Sequence, residues 1–177
     1  MIKNIVRLAL LCFAIFLCAC SNPAPGPATA NSNAGSAKQP AAAPVALPIS
    51  AYSVQWISQQ LPTEMKLGEE RKVTVTLRNT GDAAWPSKGT SGTNINQVSI
   101  SYHWLPPTGD APIILDGARS LLSHDIAPGE TYTANNVSIF APTVPGSYRL
   151  QLTLVHEAVT WFEWQGAKTV IVPVTVS

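Results

Sequence analysis

Side chains capable of nucleophilic or metal chemistry are few and widely separated in this 177-residue chain. Its three cysteines, Cys12, Cys18 and Cys20, all fall within the first twenty residues. The rest of the chain therefore has no thiolate nucleophile, no disulfide and no cysteine metal ligand.

The histidines and acids form no recognisable catalytic pattern. No H-x-H, H-E-x-x-H, G-x-S-x-G, P-loop or G-x-G-x-x-G sequence occurs. On the strand pattern described below, His103 points away from the Trp104 side and toward water, while His156 and Glu157 project to opposite faces. Paired carboxylates for glycoside hydrolysis could come from four acids, but no spacing selects two of them: Asp116, Asp125, Glu157 and Glu163. We predict no catalytic site, no metal site and no cofactor.

An aromatic run near the C-terminus is the clearest candidate for binding chemistry. In the sequence WFEWQG, a strand would place Trp161 on one face and Phe162 and Trp164 on the other, and both faces cannot be core. Flat aromatic rings beside polar groups suit a sugar ring or a proline-rich peptide. We predict a ligand-binding surface made of Trp161, Phe162, Glu163, Trp164 and Gln165. The alternative is that this hairpin caps the core beside Trp85 and Trp56.

The elements that must position these residues are β-strands. In residues 71–80, Val73, Val75 and Leu77 share one face, and residues 97–104 and 147–157 alternate in the same way. Four further runs read as strands: residues 52–57, 113–115, 131–140 and 169–176, the last with Pro173 marking an edge or a bulge. About seven short, half-buried strands separated by Gly, Pro and Asn turns predict an all-β, immunoglobulin-like antiparallel sandwich.

Two aromatic positions sharpen the prediction of the sandwich. Trp104 or Tyr102 on the third strand suits the buried aromatic of such folds. Tyr148, which follows Pro145 and Gly146, suits the tyrosine corner at the start of the sixth strand.

Composition limits the partners. The formal net charge is +1, with 11 basic and 10 acidic residues. Nothing in the sequence makes the basic stripe that neutralises phosphates, so we expect no nucleic-acid partner. The length allows one core with terminal segments.

The N-terminus has the features of an export signal. Lys3 and Arg7 precede an apolar run over residues 8–17, too short to span a bilayer, which predicts a signal peptide over residues 1–19. Leu17-Cys18-Ala19-Cys20 resembles the bacterial lipobox, although an ordinary signal peptide is the alternative. The resemblance implies that Cys20 is lipidated and attaches the chain to a membrane, and Ser21 is compatible with the outer membrane.

A spacer separates this signal from the domain. Residues 21–50 are rich in Ala and Pro, contain no aromatic residue and carry one charge, on Lys38. This composition predicts a disordered linker. The expected organisation is a signal peptide over 1–19, the lipidated cysteine and linker over 20–50, and the sandwich over 51–177.

Three phrases of the domain are recognisable together. LRNTGDAAWP (residues 77–86), the segment 126–155 and VTWFEWQG (residues 159–166) resemble an immunoglobulin-like module of bacterial envelope and secreted proteins. They are distantly similar to the FW, or four-tryptophan, domain of autophagy cargo receptors. The resemblance implies a sandwich with a non-catalytic accessory role. Leu77 stands where the FW pattern usually has tryptophan, so FW peptide binding is not carried over.

Together these observations predict a lipid-anchored, non-catalytic binding module of the cell envelope that recognises a surface glycan through its aromatic residues. The alternative is an assembly lipoprotein that binds another envelope protein by strand-edge or loop contacts.

Overall fold

The computed structural model describes residues 43–177. The predicted signal peptide, Cys20 and most of the predicted linker lie outside the described residues. Within residues 43–177, six strands have six or more residues and three further strands have only two. In chain order the strands are β1 (Val54–Gln59), β2 (Glu64–Met65), β3 (Glu70–Asn79), β4 (Val98–Leu105), β5 (Ser120–Leu121), β6 (Thr131–Phe140), β7 (Gly146–His156), β8 (Thr160–Trp161) and β9 (Val170–Val176).

The strands form two sheets. One has the order β1-β3-β6, and the other has the order β2-β9-β7-β4-β5, with β8 also paired to β7. All pairings are antiparallel except the short parallel contact of β2 with β9. The first, second and fourth of the six long strands (β1, β3 and β6) lie in one sheet, and the third, fifth and sixth (β4, β7 and β9) lie in the other. Two antiparallel sheets that share the strands in this way form an immunoglobulin-like sandwich. The predicted fold class is confirmed.

The core lies between the inner faces of the two sheets. The alternation predicted in β3 is confirmed, because Val73, Val75 and Leu77 are buried. Trp104 is fully buried and donates its indole N–H to Phe140 O at 2.9 Å. Tyr148 donates its hydroxyl to Val144 O at 2.9 Å, which confirms the predicted tyrosine corner.

Strand β4, which lies between β7 and β5, departs from the sequence prediction. All eight of its residues are buried, so the expectation of a half-buried strand is wrong. Residues 113–121 bond along the edge of β4, and the carbonyls of Leu115 and Gly117 contact the side chains of His103 and Ser101. The β8 hairpin packs Trp161 against His103. Of residues 113–115, predicted as a strand, only Ile114 makes a β-bridge, with Trp104.

The N-T-G-x-x-x-W motif joins the start of the domain to its core. The Asn79 amide donates to Ala83 O and Ile126 O, each at 2.9 Å, and its Oδ1 accepts the Gly81 N–H. A β-carbon on Gly81 would lie 2.4 Å from Ala51 O. Trp85 donates its indole N–H to the same Ala51 oxygen at 2.8 Å. Only glycine therefore leaves room for this contact.

Part of the segment assigned to the linker contacts the sandwich. The Val45 N–H donates to Asn96 Oδ1 at 2.7 Å, and the Leu47 N–H donates to the Tyr52 hydroxyl at 3.1 Å. Within residues 43–177, no helix has the length and apolar character needed to cross a bilayer.

Candidate functional site

The aromatic run sits on a hairpin that folds back over the larger sheet. β8 pairs with the end of β7, placing Trp161 opposite Val155. A 3₁₀ turn over Glu163–Gln165 follows and ends at Gly166, whose φ of 90° lies in the left-handed region. Because the strand stops at Trp161, two-residue alternation stops there too.

The turn separates the two aromatic residues that alternation placed on one face. Phe162 is fully buried, with its ring edge-on to Tyr52 and Trp85 at centroid distances of 5.0 and 5.3 Å. Trp164 is 62% exposed. The prediction of a shared face is therefore wrong. A buried ring offers no surface to a ligand, so Phe162 caps the core and Trp164 is the exposed aromatic of this run.

Trp161 packs against both the turn and the larger sheet. It is 6% exposed and lies on the outer side of the larger sheet. Its ring centroid is 4.3 Å from that of His103 and 6.4 Å from that of Trp164. The Arg119 guanidinium carbon is 4.8 Å from its ring centroid, within cation–π distance. Trp161 is thus held between two polar side chains.

Glu163 fixes the turn to the sheet through two hydrogen bonds. Its Oε1 lies 2.6 Å from His103 Nε2, and its Oε2 accepts the hydroxyl of Thr153 at 2.5 Å. The other ring nitrogen of His103, Nδ1, contacts Leu115 O. A carbonyl oxygen can only accept, so Nδ1 carries a proton. The carboxyl group of Glu163 thus joins side chains of β4 and β7.

The expectation that His103 points toward water is wrong. Its side chain is buried, because the hairpin and residues 113–115 cover the face on which alternation places it. Sequence alternation identified the face correctly but could not show that another segment covers that face.

Arg119 forms a second polar group beside Trp161. It donates to Glu157 Oε1 at 2.8 Å, to Asp116 Oδ1 at 3.0 Å and to Gly117 O at 2.7 Å. Burial opposes the charge, but the hydrogen bonds that Arg119 donates to Glu157 and to Asp116 outweigh this effect and raise the pKa of Arg119. Arg119 therefore stays charged and holds the covering segment against the sheet.

We use the name platform for the exposed face of Trp164 together with the three residues that support it: Trp161, His103 and Glu163. Gln165, the last residue of the predicted surface, donates its amide to Thr160 Oγ1 at 3.0 Å, which leaves its carbonyl oxygen as an acceptor. The structure therefore combines one exposed indole with an underlying network of buried hydrogen bonds.

The other residues considered for chemistry have structural contacts. The Asp125 carboxylate accepts the backbone N–H and the hydroxyl of Ser87, and these bonds lower its pKa. His124 contacts Glu130 at 2.6 Å on the surface. His156 lies between the Tyr52 hydroxyl and Asn96 O. Across residues 43–177, no group of three His, Cys, Asp or Glu side chains has the arrangement of a metal site.

Comparisons with known proteins give likeness of fold only. No family model and no curated protein matches the chain. Solved structures that resemble it include the CARDB domain of a Pyrococcus furiosus protein, at 15% identity and a TM-score of 0.38, with 70% of this chain and 92% of that chain covered. A β-glucosidase from Listeria innocua has 19% identity and a TM-score of 0.39, with 70% of this chain and 16% of that one covered. At these scores the assignment of the fold rests on the strand order given above.

Proposed function

We propose that this protein is a non-catalytic binding module of the bacterial cell envelope, anchored through a lipid on Cys20, and that the platform recognises a surface glycan. The observation that carries the proposal is the contrast between Trp164, which is 62% exposed, and the buried residues that hold it. Exposing an indole to water is unfavourable, and a flat aromatic surface is what a sugar ring stacks against.

Rigidity supports the proposal. The turn that carries Trp164 is fixed by Glu163 to His103 and Thr153, and Gly166 ends it. A side chain held in its bound position loses less conformational entropy when a ligand arrives. The sugar would therefore meet a surface that already has its binding geometry.

The test is binding of the purified full-length protein to a glycan array and to purified envelope polysaccharide. We expect Trp164→Ala to abolish retention while leaving the melting curve unchanged. Phe140→Ala is the matched control, because Phe140 is an exposed aromatic at the end of β6, in the other sheet. Equal retention of the two variants would contradict the proposal.

A protein partner is the second candidate, favoured by one specific observation. Ile113, Ile114 and Leu115 expose apolar side chains in a loop whose Leu115 carbonyl contacts His103. Several exposed apolar residues in one short loop are typical of protein interfaces. Crosslinking in intact cells, followed by mass spectrometry, would give one dominant protein partner that is lost in Ile113→Ser.

A further inference from the structure

A groove of about 770 Å³ runs along the open side of the sandwich, between β1 and residues 165–170, the segment that leads into β9. It exists because β1 is the edge strand of its sheet and no other strand within residues 43–177 pairs with it on this side. Residues 166–169 lie beside β1 without belonging to a strand. The volume lies within the roughly 300–1,000 Å³ that is usual for ligand sites.

Two features disfavour a peptide strand in this groove. The register of β1 against β3 shifts between Trp56 and Ser58, which interrupts the edge that an added strand would need. The Trp56 side chain also crosses the gap and donates its indole N–H to Lys168 O at 2.7 Å. An inserted strand would have to displace this indole.

The polar lining suits an uncharged ligand rich in hydroxyl groups. Among the described residues, Lys168 is the one charged side chain that lines the groove. Most of the polar lining consists of amides and hydroxyls, which both donate and accept: Ser53, Gln55, Gln59, Thr80, Gln165 and Thr169. With its N–H bonded to Lys168, Trp56 adds apolar ring surface to this lining.

One acceptor in the groove lacks a donor. Gln59 Oε1 is buried and has no hydrogen-bond partner in the described structure. A buried acceptor without a donor costs free energy. Because the glutamine side chain is flexible, a small rotation would present this oxygen to a ligand hydroxyl, and the new bond would recover part of that cost.

The groove also adjoins the platform. Gln165 lines the groove and directly follows Trp164 in the 3₁₀ turn. We infer that the groove is a second part of the binding site and that the ligand is a neutral, linear oligosaccharide, with one unit on Trp164 and further units between β1 and residues 165–170. This inference rests on the proposed function, because it assumes that the platform binds sugar.

The experiment compares chain length. Calorimetry of the full-length protein would use dimers and hexamers of glucose, mannose and N-acetylglucosamine. For a hexamer that binds, we expect the Gln55→Ala, Gln59→Leu double variant to weaken affinity roughly five- to tenfold, the loss of one or two hydrogen bonds. The Kd of the matching dimer should stay unchanged. Gln60→Ala is the control, because Gln60 is exposed on the same segment and does not line the groove.

The outcomes separate this inference from the proposed function. If Trp164→Ala loses binding and the double variant does not, the groove is not part of the binding site, and the proposal for the platform stands. If the double variant weakens affinity for the hexamer and Trp164→Ala does not, the groove binds the ligand and the proposal for the platform is wrong. Binding of extended peptides instead of any saccharide would overturn both. Melting curves of each variant separate loss of affinity from loss of folding. The Gln55→Ala single variant serves the same purpose, because Gln55 is exposed.

Discussion

His103 Nε2 lies 2.6 Å from Glu163 Oε1, sixty residues further along the chain. This contact joins strand β4 of the larger sheet to the turn that carries Trp164. Thr153 Oγ1 donates to the other carboxylate oxygen, so two adjacent strands hold one side chain. The position of the exposed indole is therefore set by a buried polar contact.

Glu163→Ala tests this contact. It would leave His103 Nε2 without a partner and Thr153 Oγ1 with only its 3.4 Å bond to Leu154 O. We expect a loss of roughly 1–3 kcal/mol in the free energy of unfolding, measured by urea denaturation. Glu163→Gln should lose less, because its amide can donate to a neutral His103 while its oxygen accepts from Thr153. Equal losses in the two variants would show that the contact does not hold the turn.

The two tryptophans of the hairpin should respond differently to truncation. Trp161 is 6% exposed, so we expect Trp161→Ala to lower the free energy of unfolding by about 3–5 kcal/mol. Trp164 is mostly exposed, and Trp164→Ala should change stability by less than about 0.5 kcal/mol. Thermal and urea unfolding of both variants measure this. Similar destabilisation in both would place Trp164 in the core and contradict the platform.

Acid should weaken the domain through His156. Its Nε2 donates to Asn96 O, so Nδ1 accepts the Tyr52 hydroxyl, and burial lowers its pKa below the ordinary value of 6.5. Below about pH 6.5 the unfolded chain binds a proton that the folded chain resists. This contribution to stability is therefore complete above that pH and is lost as pH falls toward the lowered pKa.

The measurement is the urea midpoint between about pH 8 and pH 5, the range in which histidine titrates. His156→Gln should be less stable at high pH and should depend less on pH across this range. His124→Gln is the control, since His124 is exposed and should leave the His156 step in place. A parallel decline of wild type and His156→Gln would assign the pH dependence to other groups.

Gly81→Ala should be among the most damaging single-methyl changes in the domain. The added β-carbon would lie 2.4 Å from Ala51 O, the atom that accepts the Trp85 indole N–H. We expect overpacking to cost roughly 1–3 kcal/mol and to break this hydrogen bond. Urea unfolding of the variant measures the loss of stability, and its intrinsic tryptophan fluorescence reports the change around Trp85. Gly109→Ala is a control for space, because nothing surrounds its β-carbon position, although its positive φ adds some strain.

The fold was predictable because it depends on local alternation. The two-residue period of Val73, Val75 and Leu77 fixes which face is buried, and turn residues separate the strands. Tyr148 was also predictable, since its hydrogen bond to Val144 is made within four residues.

The platform was predictable only in part. The run WFEWQG identified the hairpin, but the 3₁₀ turn that separates Phe162 from Trp164 begins where strand pairing ends, and pairing is a tertiary property. The partnership of His103 with Glu163 spans sixty residues, and no local pattern encodes it. The groove was not predicted, because it depends on how residues 165–170 lie beside β1, more than a hundred residues earlier in the chain.

The attachment of residues 45–51 has a mechanical consequence. Val45 is bonded to Asn96, Leu47 to Tyr52, and Ala51 to Trp85. Tension applied to the chain before residue 45 would reach these three bonds one after another, before it loads β1. The domain should therefore extend in small steps under low force, with its N-terminal attachment peeling away first, and the sandwich should rupture only at a higher force.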